Sequence, residues 1–418
     1  MSPLNTGDDV STPFATRFHS PGRASAMADL LPRAAAVVSL LLLLSSTSEL
    51  VAGAPSLELG LGGARRRRYD SIFAFGNSYT DTGNNPEVFA WYDIFNPVMR
   101  PPYGSTFFGR PTGRNCDGRL IIDFIAANLS LPFVPPSLVQ GGNFRRGANF
   151  AVGGATALDA SFFLPPQGEE PPATGGGAQQ LPLNTSLGVQ LRWFESLKPS
   201  LCRTPKACEK FFGRSLFYVG ELGFNDYDIA MGGGMSIEQV RSFVPYVIGN
   251  ISMAIERLIV KHGAASFLVS GMVPAGCAPP ILVLFGNMGN LDPQTGCMEE
   301  MNDVSIYHDS LLQESLQKIR ARHPDVDIFF ADFFNPVMEM VKSPSKFGFE
   351  EDVLTICCGG PGKYHFTVVP ICGDPGATTC PDPSARLFWD GAHLTEAAYK
   401  IIADGWLSAM NSPESARI

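Results

Sequence analysis

Short runs of apolar, β-branched and aromatic residues recur along the chain and predict buried β-strands. The four clearest runs are Ser71–Phe75, Ser215–Val219, Ser266–Val273 and Asp327–Ala331. Apolar residues at helical spacing lie between them. The three clearest helical patterns cover Ser236–His262, Glu299–His323 and Leu394–Met410. Strands that alternate with helices favour a parallel sheet covered by helices on both faces.

The stretch from residue 69 to residue 410 reads as a single domain. It contains no internal repeat and no shift in composition that would mark a second domain. Two segments break the alternation of strands and helices. Residues 161–182, with paired prolines and consecutive glycines, predict a long surface loop, and residues 357–383 predict a second loop that holds four cysteines.

The N-terminal residues 1–54 predict an extension and a secretory signal peptide. Ala34–Leu44 is an apolar run of eleven residues that follows Arg33, and small residues occur at 52–54. Eleven helical residues at about 1.5 Å each are too short for a hydrocarbon core of about 30 Å, so no stable membrane span is expected. An uncleaved anchor stays open if the helix extends through Val51.

Composition and charge restrict the class of protein further. The chain has 418 residues, of which 45% are hydrophobic and 17% are charged, which is enough apolar material for a sizeable core. The formal net charge is −9, with only 31 Lys and Arg. Because a nucleic-acid partner requires a basic face, this composition argues against one.

Nine cysteines indicate an oxidised framework. Cys202 with Cys208 and Cys277 with Cys297 would close short loops, and the four cysteines between 357 and 380 could form two more bridges. Cys116 is then left single. No cysteine or histidine cluster has the spacing of a metal site, so no metal is expected.

Three sequons predict N-glycosylation, at Asn128, Asn184 and Asn250. Together with the signal segment and the cysteines they predict passage through the secretory pathway. The most favoured destination is extracellular, in the cell wall, with the Golgi or the vacuole as alternatives.

Candidate chemistry follows the strands, because ligands of a parallel sheet bind beyond the carboxyl ends of its strands. Ser78 lies on the turn after the first run and could act as a nucleophile or cap a helix. Gly153 and Gly154 could present backbone N–H groups to a substrate oxygen, and Asn225 follows the next run. Each glycine or asparagine also fits an ordinary turn.

Asp390 and His393 precede the last predicted helix and suit a catalytic triad. A carboxylate can fix the imidazole tautomer, and the imidazole can then take a proton from a serine. The other histidines are expected at the surface or at helix ends; they are His19, His262, His308, His323 and His365. The chain contains neither G-x-S-x-G nor H-E-x-x-H, which disfavours an α/β-hydrolase elbow and a zinc hydrolase.

These pieces resemble the plant GDSL esterase/lipases of the SGNH hydrolase superfamily, from about Tyr69 to Met410. The resemblance includes GRPTGRNCDGRLIIDFIA at 109–126, SLFYVGELGFNDYD at 215–228 and FWDGAHLTEAAY at 388–399. It implies a flavodoxin-like three-layer α/β/α fold with a mostly parallel five-stranded sheet and no cofactor. It also implies a nucleophile, Ser78, a base, His393, and a carboxylate that orients the base, Asp390. The oxyanion hole would be formed by Ser78 N–H, Gly154 and Asn225.

One position departs from the family pattern. The residue between Gly76 and Ser78 is usually Asp in this family, and here it is Asn77. The amide keeps an acceptor oxygen and a similar shape but loses the charge, so the site is interpreted as intact.

The predicted function is that of a secreted carboxylic-ester hydrolase that works through an acyl-enzyme. Its expected substrate is a small-molecule ester or an acylated polysaccharide, from which it would remove short acyl groups such as acetyl. The acyl groups would be attached to a carbohydrate or another polar alcohol. An acyltransferase or lipase of the same family, and a non-catalytic secreted binding protein on this scaffold, stay open as alternatives.

Overall fold

The computed structural model describes residues 69–163 and 183–411. The predicted signal segment, residues 1–54, and most of the predicted surface loop at 161–182 lie outside the described residues.

A five-stranded parallel sheet forms the centre of the described structure. Its strands are β1 (Ser71–Phe75), β2 (Gly147–Asn149), β3 (Ser215–Val219), β4 (Ser266–Ser270) and β5 (Asp327–Ala331). The order β2-β1-β3-β4-β5 is the flavodoxin-like order, and every neighbouring pair is parallel. This confirms the predicted fold class. The third predicted run, Ser266–Val273, is longer than the strand it contains, because β4 ends at Ser270 and the chain then leads into a 3₁₀ helix.

Eleven helices connect or cover these strands within the described residues. They are α1 (Asn85–Trp91), α2 (Ile121–Asn128), α3 (Leu187–Leu201), α4 (Pro205–Phe212), α5 (Phe224–Gly232), α6 (Ile237–Arg241), α7 (Val244–His262), α8 (Pro279–Leu284), α9 (Glu299–Arg322), α10 (Phe334–Lys342) and α11 (Glu396–Asn411). The single helix predicted over Ser236–His262 is therefore two, α6 and α7, with a break at residues 242–243. Ser236 begins α6 with the expected capping box.

Side chains of β3 alternate between two helical layers. The Phe217 ring packs on Phe212 of α4 and Phe194 of α3. Tyr218, the next residue, faces the opposite layer and contacts Trp406 of α11. All five rings are largely or wholly buried, so burial of aromatic surface on both faces holds the sheet between its helices.

Four disulfides cross-link segments outside the central sheet. Cys202–Cys208 and Cys277–Cys297 are bonded as predicted. The segment around residues 357–383 holds Cys357–Cys380 and Cys358–Cys372, and it also forms a small antiparallel pair of β6 (Cys358–Gly359) and β7 (Thr378–Thr379). Cys116 is the single free thiol, and it is buried.

Reduction of these bridges should lower the melting temperature by several degrees. Each bridge limits the unfolded chain and contributes roughly 2–4 kcal/mol. Thermal unfolding with and without a strong reductant measures the effect. Mass spectrometry of alkylated, non-reduced protein should find one free thiol, at Cys116; nine free thiols would contradict the disulfide framework.

The structure describes all three predicted glycosylation sites. Asn128 and Asn184 are exposed, whereas Asn250 is half-buried in α7 and donates to the Tyr246 carbonyl oxygen. Glycosylation itself stays a prediction.

Within the described residues, one helical stretch is long and apolar enough to cross a membrane. It is Ile237–His262, which contains α6 and α7, and in the structure α7 buries Ile251 in the core.

Candidate active site

The turn after β1 places Ser78 at the carboxyl edge of the sheet. Gly76 has φ +145, in the region that favours glycine, and a Cβ there would come within 3.1 Å of Thr80 Oγ1. Gln190 of α3 holds the Gly76 backbone from both sides: its Oε1 accepts from the Gly76 N–H at 3.0 Å, and its Nε2 donates to the Gly76 carbonyl at 2.9 Å. The turn is therefore fixed by a buried side chain.

Ser78, His393 and Asp390 form an unbroken row of hydrogen bonds. His393 Nδ1 lies 2.7 Å from Asp390 Oδ1, and His393 Nε2 lies 2.7 Å from Ser78 Oγ. A carboxylate only accepts, so Nδ1 carries the proton. Nε2 of the neutral imidazole is then the acceptor for the Ser78 hydroxyl. The three side chains predicted to act together are brought together across more than 300 residues of sequence, since Ser78 and His393 are 315 residues apart.

Two buried tyrosines hold the loop that carries Asp390 and His393. The Tyr103 hydroxyl donates to Asp390 Oδ2 at 2.7 Å, and the Tyr79 hydroxyl donates to the Ala392 carbonyl at 2.7 Å. The Tyr79 ring also contacts the imidazole of His393 edge-on, with ring centroids 5.4 Å apart. These contacts leave Asp390 one preferred orientation, with Oδ1 toward the histidine.

The predicted oxyanion donors lie on three neighbouring segments: the turn after β1, the loop after β2 and the start of α5. Gly154 is exposed, has φ +79 and has no heavy atom within 4 Å of an added Cβ. Within the described residues, the N–H groups of Ser78 and Gly154 have no protein acceptor. Asn225 is the second residue of α5, and its Nδ2 donates to the Ala155 carbonyl at 2.8 Å. One amide hydrogen of Asn225 therefore ties its loop to the Gly154 loop, and the other is available to a ligand.

Asn77 directs its side chain away from the reacting groups. Its Nδ2 donates to Glu221 Oε2 at 2.5 Å, and its Oδ1 accepts from the Tyr79 N–H at 3.1 Å. The amide is wholly buried. The departure from the family's usual Asp therefore changes the support beneath Ser78 and leaves its hydrogen bond to His393 in place.

Comparison with known proteins places this geometry in a family. The model of the GDSL-like lipase/acylhydrolase family matches residues 72–406. The chain belongs to this family. The GDSL esterase/lipase At1g28600 of Arabidopsis thaliana is 43% identical over 344 residues, which cover 81% of this chain and 84% of that protein. At5g45910 of the same plant is 43% identical over 350 residues, which cover 82% of this chain and 91% of that protein.

These relatives and the family match make the protein a carboxylic ester hydrolase. Among solved structures, a GDSL-like lipase from Parabacteroides merdae is 11% identical, with a TM-score of 0.33, and the match covers 81% of this chain and 95% of that one. The fold assignment rests on the strand order and on the family. Among the described residues, no group of three His, Cys, Asp or Glu side chains is arranged to hold a metal ion.

Three buried carboxylates accept hydrogen bonds from the backbone of the loops around the site. Asp81 accepts from the N–H groups of Gly83, Asn84, Asn85 and Gly153. Asp226 accepts from Ala157 and Leu158, and Glu221 accepts from Phe224. Burial raises the pKa of Asp81 to about 6 and the pKa values of Glu221 and Asp226 to about 7, although the hydrogen bonds act in the opposite direction.

The stability of the enzyme should fall as pH rises from about 6.5 to 8. The folded-state pKa is about 7 for Glu221 and Asp226 and about 8 for Asp309. In the unfolded chain these groups are ionised throughout this range, so the folded state binds more protons and unfolding releases them. His308 has a pKa lowered to about 3 by burial, so it is neutral in both states across most of this range.

Thermal unfolding at several pH values between 6.5 and 8.5 measures this trend. Asp309→Asn keeps the oxygen that accepts from the Met272 N–H and removes one of the three titrations, so its melting temperature should depend less on pH. A melting temperature of the unsubstituted enzyme that rises with pH in this range would contradict the prediction.

Sequence reasoning missed the supports of the site and misplaced one histidine. Tyr103, Tyr79 and Glu221 were not identified as functional. Glu221 had a usable signal, since it is a charged residue two positions after a buried strand. The prediction that His308 lies at the surface or at a helix end is wrong: it is buried inside α9, where its Nδ1 lies 2.8 Å from the Tyr227 hydroxyl.

Proposed function

We propose that this member of the GDSL esterase/lipase family is a secreted serine esterase that removes short acyl groups, such as acetyl, from a carbohydrate or another polar alcohol. Its covalent intermediate is an acyl-enzyme at Ser78. The observation that carries the proposal is the hydrogen-bonded row from Ser78 through His393 to Asp390, with 2.7 Å at each step.

Acylation follows from this row. As Ser78 Oγ attacks the ester carbonyl carbon, its proton moves to His393 Nε2, and Asp390 stabilises the imidazolium that forms. The developing oxyanion is bound by the N–H groups of Ser78 and Gly154 and by Asn225 Nδ2. Collapse of the tetrahedral intermediate breaks the bond to the alcohol, which leaves with the proton from His393.

Deacylation repeats these steps with water as the nucleophile. His393 takes a proton from the water, the hydroxide adds to the acyl carbonyl, and Ser78 is released with the proton. An alcohol acceptor in place of water would give an acyltransferase from the same residues.

The substrate class rests on the resemblance of residues 109–126 to one branch of the family. In the structure this block is attached to the catalytic loop region. Arg119 pairs with Glu396, three residues after His393: its Nε and Nη2 both donate to Oε1, at 3.0 and 2.6 Å. Arg114 forms a buried bidentate pair with Asp123 of α2. Through Arg119, residues 109–126 are therefore held next to the start of α11, which closely follows His393.

Four disulfides support passage through an oxidising compartment, as does the predicted signal peptide at residues 1–54. The exposed sequons at Asn128 and Asn184 are accessible to a glycosyltransferase. The cell wall is the favoured destination, because an acylated polysaccharide would be found there.

A fluorophosphonate probe and a panel of esters test the proposal. The probe should label Ser78, and hydrolysis should be faster for acetate esters and acetylated polysaccharide than for butyrate, long-chain and feruloyl esters. Product analysis with an added alcohol separates hydrolysis from acyl transfer. A folded protein that the probe does not label would contradict the proposal and favour a non-catalytic binding protein.

A further inference from the structure

Glu221 lies between the nucleophile and the oxyanion loop. Phe75 and Val219 are partners in the register of β1 and β3, so Asn77 and Glu221 each follow a paired strand end by two residues. Glu221 is 1% exposed, and each of its carboxylate oxygens accepts one hydrogen bond. Oε2 accepts from Asn77 Nδ2 at 2.5 Å, and Oε1 accepts from the Phe224 N–H at 3.0 Å.

The two donors are the immediate neighbours of the two reacting groups. Asn77 precedes Ser78, and Phe224 precedes Asn225. We propose that Glu221 is a positioning residue that sets the separation between the Ser78 nucleophile and the Asn225 oxyanion donor, with the neutral Asn77 amide as its matched partner. This inference rests on the proposed function, since it assigns a role in the reaction at Ser78.

The arrangement suits this purpose because the other hydrogen bonds of the two loops go to α3 and to the loop of residues 152–155, and not directly from one to the other. The Gly76 backbone is fixed by Gln190 of α3, whereas Asn225 donates to Ala155 on the Gly154 loop. The Glu221 carboxylate joins the Ser78 turn to the start of α5 by hydrogen bonds, beside an edge-on contact between the Tyr79 and Phe224 rings. A displacement of about 1 Å between reacting groups can cost about 10²-fold in rate, so such a link matters for turnover.

Glu221→Gln breaks the match of donors and acceptors without changing the size of the side chain. If the glutamine oxygen accepts from Phe224, its NH₂ group faces the NH₂ group of Asn77; if the glutamine is flipped, its NH₂ faces the Phe224 N–H. One buried contact is lost in either case. We expect kcat for 4-nitrophenyl acetate to fall about 10- to 100-fold with little change in KM, because the substrate still binds.

The double variant Asn77→Asp with Glu221→Gln restores every contact with the roles exchanged. Asp at 77 accepts from the glutamine NH₂ and from the Tyr79 N–H, while the glutamine oxygen accepts from the Phe224 N–H. When its carboxyl group is ionised, the pair still carries one negative charge. We expect kcat to return to within about 3-fold of the unsubstituted enzyme, a recovery that a general loss of packing or charge would not give.

Asn77→Asp alone should shift the pH profile. It places two carboxylates in contact, and they can form a hydrogen bond only while they share a proton. Its activity should therefore fall at a lower alkaline pH than that of the unsubstituted enzyme. The titratable groups that face Glu221 are Tyr79, Tyr218, Asp226, Tyr227 and Asp309.

Asp309→Asn is the matched control, because Asp309 is another buried carboxylate that accepts a backbone N–H and contacts neither Asn77 nor Phe224. It should keep kcat within about 3-fold. Full kcat in Glu221→Gln would overturn the inference, as would a double variant that melts like the unsubstituted enzyme and stays slow. An unsubstituted enzyme that a fluorophosphonate does not label would instead overturn the proposed function, and this inference with it.

Discussion

Replacement of Ser78 by alanine is expected to lower turnover by about 10⁴-fold or more, because the acyl-enzyme can no longer form. Ser78 is 8% exposed, and its hydroxyl bonds to His393. The change removes a single oxygen and no core volume, so the variant should fold. Steady-state hydrolysis of an acetate ester, alongside thermal unfolding, measures both expectations.

Ser196→Ala is a suitable control, because this exposed serine donates only to the Arg192 carbonyl within α3. It should leave turnover unchanged. His393→Ala added to Ser78→Ala should lower the rate little further, since the two side chains act as a unit. Near-normal esterase activity in folded Ser78→Ala would contradict the assignment of the chain as a serine hydrolase.

The central strands could be predicted because each is a short run whose residues are nearly all buried. β1 and β3 have the predicted bounds for this reason. β2 was not recognised as a strand, because its residues, Gly147–Asn149, include no β-branched or aromatic side chain. Its conformation depends on pairing with β1, where a Cβ at Gly147 would come within 1.9 Å of the Ile72 carbonyl oxygen. A contact between distant segments of this kind leaves no periodicity in the sequence.

The reacting groups, too, lie in recognisable local motifs, whereas a supporting side chain such as Tyr103 contacts them from a distant part of the sequence. Ser78, Asp390 and His393 lie in short motifs with a chemical reason for each residue, so they could be found together. Tyr103 contacts Asp390 across 287 residues of sequence, and no local pattern connects them. His308 was open to prediction, since Val304, His308 and Leu312 follow one another at helical spacing on the buried face of α9.

Replacement of Asn225 by alanine should lower turnover by about 10²- to 10³-fold with little change in KM. The amide gives one hydrogen bond to an oxygen that becomes negative only in the transition state, so its loss affects kcat more than ground-state binding. Ser78, His393 and Asp390 are untouched by the change. Measurement of kcat and KM for acetate esters of different reactivity tests this expectation.

Asn225→Ala also removes the bond to the Ala155 carbonyl, so part of its effect could come from movement of the Gly154 loop. Ala155→Gly removes only a methyl group near that carbonyl and serves as a comparison for a loosened loop. If the oxyanion role is correct, the fluorophosphonate should label Asn225→Ala much more slowly than Ala155→Gly, since the probe's phosphoryl oxygen needs the same donor. Equal labelling rates, with Asn225→Ala raising KM instead of lowering kcat, would assign Asn225 to substrate binding and leave the oxyanion to the N–H groups of Ser78 and Gly154.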